Sequence, residues 1–198
     1  MLDRSIPYFS LYMRRPAALP LPPTPTLPDG FFARAYLPGD ERHWARIEHA
    51  VGEFPTAAEA LCYFSQQYAP QAALLAQRCV FIVTPDGLPV ATATAWQQGG
   101  VNALHWVACD PAHQGRGLGR AAVAEALRRF PGEESPEIWL HTQTWSHRAV
   151  RLYHRLGFRL VRQGALPYGS ANEYGAGMAA LRAVYPAEFW TLLAETSV

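Results

Sequence analysis

One stretch, residues 107–130, restricts what this chain can fold into more than any other. A short apolar run at 104–109 stops at an Asp-Pro pair, and a glycine-rich turn, QGRGLGR, follows it. After the turn, apolar residues recur at steps of three and four as far as Phe130, which is typical of an amphipathic helix. The stretch therefore predicts a strand, a glycine loop and a helix in that order.

This arrangement is suited to binding an anion at the start of the helix. The first backbone N–H groups of a helix have no internal partner, and the helix dipole adds partial positive charge there. Glycines let a phosphate approach the backbone, and Arg116 and Arg120 bring full charges to the same turn. An ordinary glycine-rich turn between a strand and a helix is the alternative interpretation.

Two common phosphate-binding loops do not fit this turn. The P-loop needs a lysine near its last glycine, and the sequence contains no lysine. A dinucleotide-binding G-x-G-x-x-G pattern counted from Gly115 would need its third glycine at Arg120. A third pattern, Q/R-x-x-G-x-G/A, is matched by Gln114, Gly117 and Gly119.

The composition favours one domain with extensions and excludes several classes of function. The chain has 198 residues and a formal net charge of +1, so no global field would attract nucleic acid or an anionic membrane. The scattered Cys62, Cys79 and Cys109 favour reduced thiols in a cytoplasmic protein. The histidines lack the spacing of a zinc site, so no metal is expected. No apolar run has the length of a membrane span or the character of a signal sequence.

The remaining pattern predicts alternating short strands and helices. Strands are expected over residues 31–37, 79–83, 88–96, 104–109, 137–141 and 158–161. Helices are expected over residues 41–51, 56–68, 71–77, 118–130, 146–156, 172–184 and 187–194. Asp40, Thr56 and Ser146 have the side chains of helix caps, and Gly157 that of a helix end. This order predicts an α+β fold with a mixed sheet.

A second motif follows the glycine loop. The residues Ser146, Ala149, Leu152, Tyr153, Gly157 and Phe158 fit the pattern N-x-x-A-x-x-L-Y-x-x-x-G-F, with serine in place of asparagine. With both motifs in order, residues 31–163 resemble the GNAT superfamily of acyl-CoA-dependent N-acetyltransferases. The resemblance implies a twisted, mostly antiparallel sheet of six to seven strands, flanked by helices and splayed between the fourth and fifth strands of that domain.

Two segments lie outside the resemblance. Residues 1–30 are predicted to be a proline-rich arm, and residues 164–198 a helical extension packed on the acetyltransferase domain. The arm is expected to lie on the surface, or to pack across its own domain or a homodimer partner. Its anchors would be Tyr8, Phe9, Leu11 and Tyr12.

The resemblance implies acetyl-CoA as co-substrate and assigns its binding residues. The backbone groups of Val107, Ala108 and Cys109 would bind the pantetheine arm like an added strand. The pyrophosphate would lie on the backbone N–H groups of Gln114, Gly115, Arg116, Gly117, Leu118, Gly119 and Arg120. Ser146, which replaces the asparagine of the family, keeps a hydroxyl for the cofactor or the helix start.

The resemblance also implies direct transfer of the acetyl group to a primary amine. Tyr153 would protonate the leaving thiolate, because a phenol with a pKa near 10 is protonated at neutral pH. His105, two residues after a position where the family often has glutamate, is the candidate base. A packed core tyrosine and a hydrogen-bonded structural histidine are the alternatives. Glu53 and His141 are further candidates for acceptor binding.

The acceptor is not determined by the sequence. A small-molecule amine and a peptide N-terminus both fit, and an acyl group longer than acetyl stays open. The alternative from another class is a non-catalytic module that binds acyl-CoA as a sensor or docks a partner.

Overall fold

The computed structural model describes residues 2–23, 25–130, 136–169 and 171–198. Within these ranges the strands are β1 (Ser10–Pro16), β2 (Phe32–Ala35), β3 (Cys79–Val83), β4 (Pro89–Gln98), β5 (Val101–Cys109), β6 (Glu137–Gln143) and β7 (Arg159–Leu160). The helices are α1 (Glu41–Val51), α2 (Ala57–Gln67), α3 (Ala72–Arg78), α4 (Leu118–Leu127), α5 (His147–Arg155), α6 (Tyr174–Leu181) and α7 (Ala187–Glu195). The α+β fold predicted from the sequence is confirmed.

The strands have the order β2-β3-β4-β5-β6-β1-β7 in one mixed sheet. The pairings of β3 with β2 and β4, and of β1 with β6 and β7, are antiparallel. β5 pairs with β6 in parallel, where Asn102 lies opposite Ile138 and Ala103 opposite Trp139. The splay predicted beyond this pairing, between the fourth and fifth strands of the predicted domain, stays a prediction.

The contacts divide the chain into two compact units. The first contains the described residues of 21–96 and 104–130, and the second those of 2–20, 97–103 and 136–198. The predicted limits at residues 30 and 163 are not tested by this division and stay a prediction. No helix in the described ranges combines the length and apolar character needed to cross a bilayer.

The core of the first unit is rich in aromatic residues. α1 and α2 pack against each other, and α4 packs on β2 and β3. The buried set comprises Trp44, Ala45, Ile47, Val51, Ala60, Phe64, Tyr68, Leu75, Cys79, Phe81, Val83, Trp96 and Ala108. The buried face of α4 contains four alanines, and small side chains of this kind let a helix lie close to a sheet.

Helix starts follow the predicted chemistry only in part. The Thr56 Oγ1 atom accepts the Glu59 N–H at 3.1 Å, so the predicted cap of α2 is confirmed. The predicted Asp40 cap of α1 is wrong, because that carboxylate accepts instead from Arg34 and from the Leu37 N–H at 2.7 Å. The Ser146 side chain makes no capping hydrogen bond to α5, so that expectation is also wrong.

The second unit is built around β1, which comes from the predicted arm. β1 lies between β6 and β7, with Leu11 and Tyr12 buried, while Tyr8 is 46% exposed. Arg15 on β1 is fully buried, and its guanidinium donates to the Leu156 carbonyl at 3.0 Å. The same group donates to the carbonyls of Pro16, Leu19 and Pro20. The arm is thus tied to the end of α5 by backbone acceptors.

Candidate functional site

The glycine loop follows β5 and leads into α4, as predicted. A 3-10 turn at Pro111–His113 is followed by Gly115 and Gly117, with φ angles of +77° and +80°. These angles are strained for any residue with a Cβ, which explains the glycines. A Cβ placed on either residue would meet nothing within 4 Å, so there is open space beside the loop.

The start of α4 presents unsatisfied backbone donors. No side chain caps the helix, and its first internal bond runs from the Ala121 N–H to the Gly117 carbonyl at 3.0 Å. The N–H groups of Leu118, Gly119 and Arg120 therefore have no acceptor within the helix. The Leu118 side chain is buried and fixes the first turn. This end of the helix has the chemistry of an anion site.

Polar contacts hold the loop against the end of β5. The Gln114 Nε2 atom donates to the Cys109 carbonyl at 2.9 Å, so this predicted cofactor residue also braces the loop. The Asp110 carboxylate accepts the Ala112 N–H at 3.0 Å and forms an ion pair with Arg46. Arg46 also donates to the Pro89 carbonyl at 2.6 Å. Sequence reasoning missed Asp110 and Arg46, although an Asp-Pro pair before a turn is a recognisable capping pattern.

The charge of Arg46 acts on the Asp110 carboxyl. Burial alone would raise the pKa of Asp110, but hydrogen bonds from Arg46 and from the Ala112 N–H outweigh it. The pKa of Asp110 therefore lies below its usual value, and the carboxylate stays ionised at neutral pH. A permanent ion pair thus fixes the approach to the loop.

The two arginines of the loop are exposed, as a phosphate-binding role requires. The Arg116 guanidinium lies 4.6 Å from the centre of the Phe31 ring, in a cation–π contact that holds it beside the loop. Arg120 is exposed on the first turn of α4. Their contact with phosphate stays a prediction.

β5 departs from regular strand geometry at Trp106, whose φ is +47°. In a regular strand His105 and Trp106 would point to opposite faces. Here His105 Nδ1 shares a hydrogen bond of 2.6 Å with the Tyr68 hydroxyl, and the Trp106 Nε1–H donates to the Tyr63 hydroxyl at 3.1 Å. Both side chains thus turn to α2 and to Tyr68, which directly follows it, as happens at a β-bulge.

Tyr68 is the partner that orients His105. It is fully buried, and burial raises the pKa of its hydroxyl well above the usual value, so it remains a phenol. When Nδ1 of His105 carries the ring proton, its N–H donates a hydrogen bond to the Tyr68 hydroxyl. Nε2 is then unprotonated and can accept a proton. His105 itself is half-buried, and Ala103 two residues earlier is fully buried.

For the remaining strand residues, backbone contact with the cofactor stays a prediction. Ala108 is buried in the aromatic core, and Val107 and Cys109 are half-buried. Burial, followed by the charge of Asp110, raises the pKa of the Cys109 thiol to about 11. Cys109 is therefore a neutral thiol at neutral pH and no nucleophile.

Four rings pack together next to His105: Trp44 of α1, Phe54, Tyr63 of α2 and Trp106 of β5, which we call the aromatic cluster. The Trp44 ring centre lies 5.5 Å from that of Trp106, 5.9 Å from Phe54 and 6.2 Å from Tyr63. Glu53, predicted as an acceptor contact, is half-buried in the loop after α1. Its N–H donates to the Glu48 carbonyl at 3.1 Å, so it lies beside the cluster.

The other predicted site residues belong to the second unit. Tyr153 on α5 is 7% exposed, and its ring packs edge-on against Phe158 at 6.1 Å. Ser146 ends the 3-10 turn before α5. The His141 Nε2 atom shares a hydrogen bond of 2.7 Å with the Ser10 hydroxyl.

The structure thus gathers part of the predicted site in one unit. His105, Glu53, the backbone of residues 107–109 and the glycine loop share the first unit. The loop fits a pyrophosphate: its donors are uncapped, its glycines leave space, and two arginines flank it. In the ranges that the structure describes, no group of three His, Cys, Asp or Glu side chains could hold a metal ion.

The chain is similar to known proteins. The Acetyltransferase (GNAT) family matches residues 43–158, a range that includes the glycine loop and Tyr153. A mycothiol acetyltransferase from Thermobispora bispora is 31% identical over 154 residues, which cover 74% of this chain and 52% of that protein. One from Acidothermus cellulolyticus is 31% identical over 166 residues, which cover 75% of this chain and 50% of that protein. The chain spans about half the length of these curated relatives.

A solved structure shares the fold. A GCN5-related N-acetyltransferase from Sphaerobacter thermophilus superposes with a TM-score of 0.62 at 26% identity. The match covers 78% of this chain and 49% of that chain. The predicted sheet with flanking helices is therefore confirmed by an independent structure.

Proposed function

The chain belongs to the GNAT family of acetyltransferases, and we propose that it transfers the acetyl group of acetyl-CoA directly to a primary amine. The observation that carries the proposal is the uncapped start of α4 behind a glycine loop, with His105 on the strand that leads into it. Acetyl-CoA, which the family implies as co-substrate, supplies an acyl carbonyl activated by its thioester.

The chain would hold the cofactor through its backbone. The N–H groups of Leu118, Gly119 and Arg120 are available to phosphate oxygens, and Arg116 and Arg120 add positive charge. The irregularity at Trp106 distorts β5 just before residues 107–109, which favours their backbone groups as partners for the pantetheine amides. Ser146 keeps its proposed contact with the cofactor, since its hydroxyl is not used as a helix cap.

The chain would also move two protons. An amine reaches the site as an ammonium and must lose a proton before its nitrogen can attack. The Nε2 atom of His105 takes that proton when the Tyr68 hydroxyl accepts from Nδ1. Tyr153, in the role that its motif implies, gives a proton to the leaving thiolate.

The acceptor belongs to the proposal as well. GNAT acetyltransferases acetylate amines, and the name of the relatives supports a small-molecule acceptor over a peptide N-terminus. Glu53 lies beside the aromatic cluster and is the stronger of the two acceptor candidates. His141 is exposed on β6 and bonded to Ser10, and nothing in that contact supports acceptor binding.

Two measurements test the function. Calorimetric titration with acetyl-CoA should show binding that Arg116→Glu weakens at least about tenfold, because a phosphate would meet a carboxylate. Thiol release with a panel of primary amines should show turnover that His105→Gln lowers by about 10²-fold or more, with acetyl-CoA affinity unchanged.

The outcomes separate the two classes of function. No binding at millimolar acetyl-CoA would contradict the proposal. Binding without turnover for every amine would instead favour the acyl-CoA-binding module. An unchanged rate in Tyr153→Phe would contradict only the proposed role of Tyr153 as proton donor.

A further inference from the structure

One buried carboxyl oxygen near the aromatic cluster has no hydrogen-bond partner among the described residues. Glu48 on α1 is 1% exposed, and its Oε1 atom has no hydrogen-bond partner among the described residues. Trp44 lies one helical turn earlier on the same face, and its buried Nε1–H also has no hydrogen-bond partner among the described residues. Buried polar groups in native proteins are nearly always hydrogen-bonded, and buried charges are paired. Two such groups on one helix face offer an acceptor and a donor to a polar ligand.

The rings around Glu48 are suited to a cation. Phe54, Tyr63 and Trp106 are half-buried, so the cluster reaches the protein surface. Trp44 and Tyr63 are nearly parallel, with an interplanar angle of 8°. The negative faces of aromatic rings attract ammonium groups, and a desolvated site strengthens that attraction.

The carboxyl groups of Glu48 and Glu53 interact electrostatically. Burial, and after it the charge of Glu53, raises the pKa of Glu48 well above its usual value. The charge of Glu48 in turn contributes to the raised pKa values of Tyr63 and Tyr68, for which burial is the main cause. A positive charge among these groups would let Glu48 ionise and would relieve the repulsion between the two carboxyls.

Building on the proposed function, we propose that Glu48 and the aromatic cluster bind the acceptor as a cation. The class is a primary ammonium on an apolar or aromatic frame that carries no carboxylate of its own. A carboxylate on the same molecule would be repelled by Glu48 and Glu53. The rings would contact the frame, and the Glu48 carboxylate would accept a hydrogen bond from the ammonium.

An acceptor bound at the cluster would lie next to the candidate base. The His105 ring centre lies 5.7 Å from that of Trp106, so the base contacts the cluster. The ammonium gives one proton to His105, and the freed electron pair forms the new bond between nitrogen and the acyl carbon. The carbon–sulfur bond breaks, and the thiolate takes a proton from Tyr153, in the role that its motif implies. The second proton lost by the nitrogen restores the Tyr153 phenol and leaves a neutral amide.

The test measures binding without acetyl-CoA, so it does not depend on turnover. The probes are 2-phenylethylammonium and 2-phenylethanol, which differ chiefly in charge, and the readout is calorimetry with tryptophan fluorescence. The native chain should bind the ammonium at least about tenfold more tightly, a difference of about 1.4 kcal/mol. Glu48→Gln, which keeps the shape and removes the charge, should bring the two affinities within about twofold.

Matched variants keep the result interpretable. Glu188→Gln, on the exposed side of α7, should leave both affinities unchanged. Trp106→Leu should lower the affinity for the ammonium more than the affinity for the alcohol. This variant serves as a second test if Glu48→Gln unfolds. Equal binding of both probes by the native chain, or a preference that survives Glu48→Gln, would overturn the inference and leave Glu48 a buried neutral acid.

Acetyl-CoA titration of the same preparations separates the two proposals. Selective ammonium binding without acetyl-CoA binding would contradict the proposed function and leave the cation site standing. Acetylation of amines at a rate and KM unaffected by Glu48→Gln would contradict the cation site alone.

Discussion

Trp106 is the residue at which the first unit departs from regular structure. Its φ of +47° is unusual for a bulky side chain, and such strain persists only where the surroundings fix it. The Tyr63 hydroxyl and the Trp44 ring hold the indole on one side. The consequence is that His105 and Trp106 reach the same face, so the candidate base and the aromatic cluster are neighbours.

Gly157 gives a test at the residue scale. Its φ is +93°, and an added Cβ would lie 2.5 Å from Leu19 Cδ2 and 3.3 Å from Arg15 Nε. Gly157→Ala adds to the backbone strain a tight contact with the buried Arg15, while the exposed end of Leu19 can move aside, so we expect a loss of about 2–3 kcal/mol in the free energy of unfolding. Gly87, with a φ of +90° and nothing within 4 Å, is the control, and its alanine variant should lose about 1–2 kcal/mol. Equal losses in urea unfolding would contradict the clash.

At the scale of elements, the loop and the start of α4 act together. The loop is fixed by the 3-10 turn, by the Gln114 bond to the Cys109 carbonyl and by the Asp110–Arg46 ion pair. None of these groups occupies the N–H donors of the first turn of α4. The loop is therefore held by contacts within the chain, so we expect it to lose little conformational entropy on binding a ligand.

Gly117→Ala tests this element. The added Cβ would enter the open space beside the loop, so we expect acetyl-CoA affinity to fall at least about tenfold. Gly100 has a nearly equal φ, +79° against +80°, and equally open surroundings, but lies in the turn between β4 and β5. Both alanine variants should lose about 1–2 kcal/mol of stability, and calorimetry should show the affinity loss for Gly117→Ala alone. A similar affinity loss at Gly100 would point to general destabilisation.

The Asp110–Arg46 pair predicts a pH dependence of stability. Because the pKa of Asp110 is lowered in the folded chain, its contribution is present above the unfolded pKa near 4 and is lost as pH falls through the folded value. We expect Asp110→Asn to cost about 1 kcal/mol at pH 7, since the pair is partly exposed, and almost nothing near pH 2.5. Urea unfolding at both pH values measures this. Asp29→Asn, at an exposed site, is the control, and a pH-independent difference would contradict the assignment.

At the scale of the whole molecule, β1 integrates the N-terminal segment into the second unit. Arg15 is buried and bonded to four carbonyls, whereas Arg14 on the opposite strand face pairs with Glu137 near the surface. We expect Arg15→Met to cost about 3 kcal/mol, because buried carbonyls lose their donor. Arg14→Met should stay within about 1 kcal/mol. Thermal unfolding compares the two, and equal losses would show that the carbonyl contacts do not stabilise the fold.

The sequence predicted the fold class and the motifs that place the chain in its family. Both α1 and β3 have the predicted bounds, and the glycine loop leads into α4 as expected. The caps at Asp40 and Ser146 were wrong because longer-range partners or local geometry decide where a short polar side chain turns. The cytoplasmic location and a homodimer partner for the arm stay predictions.

What the sequence determined by itself was local: a strand, a glycine loop and a helix, whose anion chemistry follows from backbone geometry over a few residues. The tertiary structure alone decided the partners of single side chains. Tyr68 is 37 residues before His105 and Arg46 is 64 before Asp110, so no local pattern records either contact. In the sequence, Glu48 looks like an ordinary polar residue of an amphipathic helix. Its carboxyl is buried only because α1 packs against the aromatic cluster. Periodicity predicts which elements form, but burial and charge depend on which elements meet.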